Sequence, residues 1–511
     1  MRALFSAFFT VGSLTGLSRI TGFLRDLMIA AVLGAGGVAD AFFVSFKLAN
    51  FLRRLFAEGA FNAGFVPLFG RTLEIEGRDE AIRFGSQVFS VMLTILLLVV
   101  LLAELTMPWL VRGLAPGFEP GGERYQVAVA LSYITFPYLL FVSLVALMSG
   151  VLNTFGYFAA PAFAPVLLNI VLIGAMALSF LHPETPAHAL AWGVALAGML
   201  QLAWVMVAAR RAGIQIYWVR PRITPRIRRL FRLVVPGVFG SGVAQINLLV
   251  DTWFASTLAT GAVSYLFYAD RLNQLPLGMI GIAVGTALLP LLTRQLRSGA
   301  HAVAMDTQNR AIELALFFTL PAATALIAIG HPIIEVLFER GAFDAQATAA
   351  TAAALRAFAI GLPAYVLIKV LAPAFFARED TVTPVKIAAL ALLSNIVLIM
   401  ALIGTLGHVG IALATALSNW LNGLLLYFML RRRGHIVIDA RLKQRLRGIC
   451  FGCVIMAVVL WASLIVDIEL SAWIELGLMI GIGGLGYLAT AYLAGGFSVQ
   501  EIRSLLRAKQ A

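Results

Sequence analysis

Charge is scarce in this chain. Only 12% of its 511 residues are Asp, Glu, Lys or Arg, about half the share found in an ordinary soluble domain, and the mean hydropathy is +0.93. A water-soluble globular protein is therefore excluded. The two cysteines, Cys450 and Cys453, form a lone CxxC inside an apolar run, with no second pair and no histidine beside it, so they read as small packing residues rather than a metal or redox centre. The six histidines, at 182, 188, 301, 331, 408 and 435, never fall into a ligand spacing, and neither metal nor catalysis is assigned to them. No Walker glycine loop is present, which excludes ATP bound by this chain as its energy source. Alternating polar and apolar residues of a membrane β-barrel are also missing.

What is present is apolar sequence in runs of roughly 20 residues, enough for about fourteen helical spans. The spans read as 3–33, 38–70, 85–111, 127–153, 161–181, 187–209, 233–257, 262–293, 311–330, 348–377, 385–404, 408–430, 448–466 and 473–494. The first is too long, and lacks the small-residue cleavage site, to be a removable signal. Loops on one side hold 27 of the 38 Lys plus Arg, and those on the other only Arg112, Arg124 and Arg340. By the positive-inside rule both termini are expected in the cytoplasm. The net charge of +13 is thereby accounted for at the membrane surface, where the Arg-rich segments 210–232 and 431–447 set topology and meet anionic headgroups. Nucleic acid is not an expected partner.

The chain also repeats itself. NIVLI at 169–173 recurs at 395–399, Pro137 falls on Pro363, and the segment from Gly37 to Leu48 aligns with that from Gly261 to Leu272, pairing Lys47 with Arg271. Pro67 meets Pro290, and Gly213 meets Gly434, at nearly the same offset. Six spans in each copy is an even number, so the copies share an orientation, as in transporters that hold substrate between two rocking halves. The expected architecture is an all-α polytopic membrane protein with a first lobe over 1–215, a second over 216–435, and two extra helices with a tail over 436–511.

Charges inside spans are costly, about 2.5–3.5 kcal/mol each at the least, so they must face protein or water. The first span carries Arg19, Arg25 and Asp26, the second Asp40, Lys47, Arg53, Arg54 and Glu58, and the eighth Asp270 and Arg271. Arg19 and Asp26, seven residues apart, share a helix face, with Arg25 about 120° away. Asp26 neutralises one arginine and leaves the other. Asp40, Lys47 and Arg54 form one stripe, with Glu58 four residues on. Gly16 and Gly22 are expected bend points in the first span, and Gly59, Gly64 and Pro67 in the second. Arg19, Arg25, Arg53 and Arg271 are read as lining one cavity, with Asp26, Asp40, Glu58 and Asp270 as its acids; snorkelling or structural roles are the alternative. Arginine's planar fork suits phosphate oxygens and never deprotonates. Asp251, Asn395 and Thr415 could hold Na+ or a proton, or could simply bond between helices.

These stretches resemble the MurJ (MviN) family of lipid II flippases, in the multidrug/oligosaccharidyl-lipid/polysaccharide exporter superfamily. The resemblance is carried by SRITGFLRD (18–26), GVADAFFVSFKLANFLRRLFAEGAF (37–61), APGF (115–118), FPYLL (136–140), PAFAPVLLN (161–169), YADRLNQLPLG (268–278), LAPAFFARED (371–380) and TPVKIA (383–388). It implies two six-helix lobes around a cationic cavity, with Arg19, Arg25, Arg53 and Arg271 matching the family's cavity arginines and Asp40 and Glu58 its acids. It also implies a substrate, undecaprenyl-pyrophosphate-linked disaccharide-pentapeptide (lipid II), moved from inner to outer leaflet of the bacterial cytoplasmic membrane for peptidoglycan synthesis. The last two helices, here 448–494, would form a groove for the polyprenyl tail. Asp251, Asn395 and Thr415 are similar to a sodium site of some members; Ile399 stands where that site has a further acid. No cofactor is expected, and coupling to membrane potential, Na+ or H+ is left open.

The competing readings are a cation-coupled exporter of drugs, or of other polyprenyl-linked oligosaccharides, in the same superfamily, and a scaffold for cell-wall enzymes using the basic loops. A drug exporter calls for an acidic and aromatic cavity, whereas this sequence has an excess of arginine. The expected partners are lipid II, membrane lipids and cell-wall synthesis proteins.

Overall fold

With no water to bond the backbone inside a bilayer, a spanning segment must satisfy its own amides and carbonyls, which leaves the helix as the solution for these runs. The computed structural model describes residues 2–53, 60–179, 185–465 and 470–498, with side chains described throughout these except at 2–8, 52–53, 60, 62–63, 235–244 and 279–287. Among the described residues there are seventeen helices and no strand.

Residue packing divides the chain into two units, the first being Met1–Ser264 with Arg340–Phe343 and the second the remainder. The first contains α1 (Arg2–Leu33), α2 (Gly37–Arg53), α3 (Ala60–Glu76), α4 (Arg78–Leu114), α5 (Glu123–Thr135), α6 (Tyr138–Thr154), α7 (Ala159–Ser179), α8 (Pro186–Arg211) and α9 (Pro225–Ser256). In it α1 packs on α7, α7 on α8, α2 on α5, and α3 on α9. The second contains most of α10 (Ala262–Arg297), then α11 (His301–Ala328), α12 (Gly330–Phe338), α13 (Ala345–Phe376), α14 (Val382–Leu406), α15 (His408–Arg432), α16 (Ala440–Ser463) and α17 (Ala472–Leu493). Here α13 and α14 pack on α15, α11 on α13 and α16, and α16 on α17. The repeat boundary expected at residue 215 is a matter of sequence equivalence; α9 groups with the first unit because its packing partners are α3 and α4.

The duplication is visible in the helix boundaries. α1 and α9 each contain 32 residues, and their starts, Arg2 and Pro225, differ by 223 positions, as do those of α4 and α11 and those of α7 and α14. The starts of α5 and α13, and of α8 and α15, differ by 222. Packing repeats as well, since α7 on α8 corresponds to α14 on α15.

Ten segments are long and apolar enough to cross a membrane among the described residues. They coincide with expected spans 3 to 6 and 9 to 14. The other four expected spans fall on α1, α2 with α3, α9 and α10, which carry Arg19, Arg25, Asp26, Asp40, Lys47, Asp251, Asp270 and Arg271. Two local expectations are corrected. The fourth span is broken at Phe136 and Pro137 into α5 and α6, and the loop after α11 contains the short helix α12; the second span is helical in its described parts, α2 and α3, with 54–59 outside the described residues. α1 is continuous past both Gly16 and Gly22.

The helices are turned inside out relative to a soluble bundle. On α14, Leu390, Leu393, Val397 and Met400 are 50–60% exposed, while Asn395 on the opposite face is fully buried. Leu97, Leu98, Leu101, Leu102 and Leu105 of α4 are exposed too. Association of such helices rests on close packing and interhelical hydrogen bonds rather than on the hydrophobic effect.

One end of the first unit is fastened by two glycines that face each other's backbone. Gly34 (φ +63) and Gly341 (φ +61) each leave room where a Cβ would stand 2.2 Å from a carbonyl oxygen, that of Ala342 and Ala31 respectively. The Ala342 amide donates to the Ala31 carbonyl at 2.8 Å. Any larger residue at either position would push these strands of chain apart and would also have to hold a left-handed φ.

In the second unit α16 is moored to α11 by charge. Arg310 reaches Asp306 (3.3 Å), Glu313 and Asp439, and Glu313 also meets Arg441 (3.3 Å) and Arg445 (3.7 Å). Asp439 in turn caps α16, accepting from the Leu442 amide at 2.6 Å.

Candidate functional site

α1 carries two arginines with different fates. Arg25 is 8% exposed and Asp26 3%, and Arg25 donates through Nε (3.0 Å) and Nη2 (2.7 Å) to Asp26 Oδ1. Its Nη1 donates to Asn169 Oδ1 of α7 at 2.9 Å. The Asn169 amide then donates to the Ser18 carbonyl (2.9 Å) and to Thr21 Oγ1 (3.2 Å). This side chain lies against Gly22, where a Cβ would stand 3.3 Å from its Nδ2; the glycine serves close helix approach rather than a break.

Helix-face reasoning placed Asp26 with Arg19, and the structure pairs it with Arg25. Seven residues are about 10.5 Å of helix rise, beyond direct reach, whereas the long arginine stem can fold back onto its neighbour. Arg19, near the middle of α1, is partly exposed and has no hydrogen bond or ion pair among the described residues.

On α2, Asp40 is 1% exposed. It accepts from the Gly261 amide (2.7 Å), the Ser264 amide (2.9 Å) and the Ser264 hydroxyl (2.6 Å), at the start of α10. Arg124 of α5 stands 3.9 Å away and lies over the Phe118 ring. A carboxylate at a helix N-terminus accepts its free amides and meets the positive end of its dipole. Nearby within the same unit, Lys47 donates to Thr252 Oγ1 of α9 at 2.9 Å.

Arg53 ends α2, with its side chain outside the described residues, and Glu58 lies outside them altogether. Arg271 belongs to the second unit, where it lies 4.6 Å over the Phe267 ring, and its neighbour Asp270 accepts from Gln274. Asp251, on α9, is in the first unit, whereas Asn395 and Thr415 are in the second. Those two are buried together, Thr415 Oγ1 donating to Asn395 Oδ1 at 3.4 Å. Ile399, one turn on, is fully buried.

The site residues that sequence reasoning missed are Asn169, Ser264, Gly261 and Arg124. The repeat held a signal for the first two. Asn169 is the repeat-mate of Asn395, and both are buried and hydrogen-bonded. Asp40 and Ser264 occupy equivalent positions in the aligned segments, 224 residues apart, and bond each other directly.

Duplicated helices, and a guanidinium midway along α1 without a partner among the described residues, fit a polytopic membrane transporter. Comparison with known proteins makes this specific. The family model described as "Lipid II flippase MurJ" matches residues 29–477. A probable lipid II flippase MurJ of Rhizobium tropici is 45% identical over 99% of this chain and 97% of its own length, and the lipid II flippase MurJ of Burkholderia cenocepacia is 37% identical over 84% of each. A solved structure of lipid II flippase MurJ in an inward closed conformation is 28% identical, with a TM-score of 0.79 over 94% of this chain and 98% of that one. An inward-facing MATE-family multidrug transporter matches at a TM-score of 0.70 with 14% identity, over 83% and 97%, which shows a shared fold alone. This chain belongs to the MurJ lipid II flippase family.

Proposed function

We infer that this protein is a lipid II flippase. It carries the pyrophosphate-linked disaccharide-pentapeptide from the inner to the outer leaflet of the bacterial cytoplasmic membrane, for peptidoglycan synthesis, by alternating access. The observation that carries the headgroup assignment is Arg19, a partly exposed guanidinium within a membrane helix and without a partner among the described residues. Arg19, Arg53 and Arg271 grip the diphosphate. Arg25, spent on Asp26 and Asn169, instead fixes α1 against α7.

The distribution of basic residues supports both termini in the cytoplasm. An inward-negative potential then favours outward movement of the anionic headgroup, by about 2.3 kcal/mol per charge per 100 mV. Asp251, Asn395 and Thr415 remain the residues suited to a coupling Na+ or H+. The activity is transport rather than catalysis, and export of drugs is the weaker reading because it is supported only by shared fold with MATE proteins.

The test is flipping of fluorescent lipid II in proteoliposomes. A hydrogen bond to a charged group is worth about 1.5–3 kcal/mol, so Arg19→Gln should slow flipping about 10- to 100-fold while the thermal unfolding midpoint stays put. Wild-type flipping by Arg19→Gln would remove Arg19 from the substrate grip. Absence of flipping by the wild-type protein itself would remove the function.

A further inference from the structure

Between α8 and α9 the chain runs outside any helix, as a strap over residues 214–224. It is pinned to α4 at alternate residues. The Tyr217 amide donates to Ser86 Oγ at 3.3 Å and the Val219 amide to Ser90 Oγ at 2.8 Å, both serines being fully buried. Its own Ile214 and Ile216 point inward and are buried, 0% and 7% exposed. The strap therefore has a fixed inner face and a fixed outer one.

The outer face combines aromatic and basic groups. Tyr217 is 52%, Trp218 62% and Ile223 66% exposed, and Arg220 and Arg222 are exposed between them. From residue 210 to 232 there are eight arginines and not one acid. One of the eight, Arg226, is paired, with Glu76 at 2.6 Å.

The pins also set the depth of this face. Ser86 and Ser90 lie in the first turns of the apolar part of α4, which begins near residue 85. A segment bonded to them sits at the level where hydrocarbon gives way to headgroups, the zone that tryptophan and tyrosine prefer. Exposed guanidinium groups at that level meet the phosphates of anionic lipids.

We propose that the strap, through Tyr217, Trp218, Arg220, Arg222 and Ile223, is a docking surface for the anionic lipid headgroups of the leaflet on its own side. The aromatic rings enter the interface, and the two arginines bind headgroup phosphate. The strap thereby ties the joint between α8 and α9 to the membrane surface as well as to α4.

The test uses the full-length protein in phosphatidylcholine vesicles with or without phosphatidylglycerol, and reads Trp218 as the fluorescence lost in Trp218→Phe. Lipid brominated near the top of the acyl chain should quench this component, acrylamide should not, and the quenching should be greater with phosphatidylglycerol. Arg220→Gln with Arg222→Gln should abolish that excess, and inorganic phosphate should leave it unchanged. Three results would each overturn the proposal. They are quenching by acrylamide alone, which places the strap in water; protection from both quenchers, which means that protein covers it; and quenching that ignores phosphatidylglycerol or is reversed by free phosphate.

Discussion

Replacing Asp40 by asparagine keeps the size of the side chain and removes half of its accepting capacity. In the wild-type protein Oδ2 accepts from the Gly261 amide, and Oδ1 from the amide and hydroxyl of Ser264. The single carbonyl oxygen of asparagine can replace one of these oxygens. Its NH2 group must stand where the other was, facing an N–H that it cannot accept. If Ser264 keeps the carbonyl, the Gly261 amide is left buried and unsatisfied, at a cost of about 1.5–3 kcal/mol for a lost bond to a charged acceptor. Arg124 adds less, because its side chain is 26% exposed and water replaces much of what the lost charge provided. At a factor of ten per 1.4 kcal/mol, local opening at the start of α10 becomes about 10- to 100-fold more populated. Hydrogen exchange of peptides spanning 257–268 measures this directly, since amide protection reports local opening. Exchange unchanged at Gly261 and Ser264 in Asp40→Asn would refute the reasoning.

Asn169→Leu strands Arg25 Nη1 in a buried contact and should cost about 2–3 kcal/mol, read as a lower unfolding midpoint; an unchanged midpoint would mean that water replaces the amide. In the loop after α15, burial first, then Arg378, Arg433 and His301, hold the His435 imidazole below its ordinary value. The unfolded chain then binds the extra proton more readily, so the contribution of His435 to stability is complete above about pH 6.5 and falls as pH drops below it. Thermal unfolding of the wild type should show this loss between pH 7 and 5, and His435→Gln should flatten it; equal slopes would count against the assignment. Pro321 offers no N–H to the Phe317 carbonyl, which instead accepts from Tyr487 Oη of α17 at 2.7 Å. Tyr487→Phe should destabilise the protein by about 0.6–2 kcal/mol, and a smaller effect in a denaturant titration would show the carbonyl finding another donor.

Much of the fold was legible because the bilayer imposes few rules on a chain and those rules leave long marks. Apolar runs and an internal offset near 223 residues made the all-helical class, the helix order and the duplication legible before any coordinates. The breaks inside spans were harder. Phe136 and Pro137 divide one expected span, whereas Pro165 and Pro363 lie within continuous helices, so proline alone does not mark a break. Partners of the charged groups were harder still. Asp40 reaches Gly261 and Ser264 across more than 220 residues, and no local periodicity contains that information. Only the repeat does, by placing Asp40 and Ser264 at equivalent positions.

The arginines of α1 show why counting cationic residues is a poor measure of a cavity's charge. Asp26 and Arg25 sum to zero in a contact shielded from solvent, and removing one member of such a pair typically costs 3–5 kcal/mol because the other is left buried and alone. Loss of transport on replacing Arg25 would therefore report a damaged α1–α7 contact as readily as a lost substrate contact. Arg19 is free of that ambiguity, since no carboxylate among the described residues depends on it. The two substitutions separate the roles. Arg25→Gln should lower the unfolding midpoint and flipping together, whereas Arg19→Gln should lower flipping alone. A protein in which both changes spared stability and abolished transport would have two substrate-facing arginines on α1, and the Asp26 pairing would then be secondary to the grip on diphosphate.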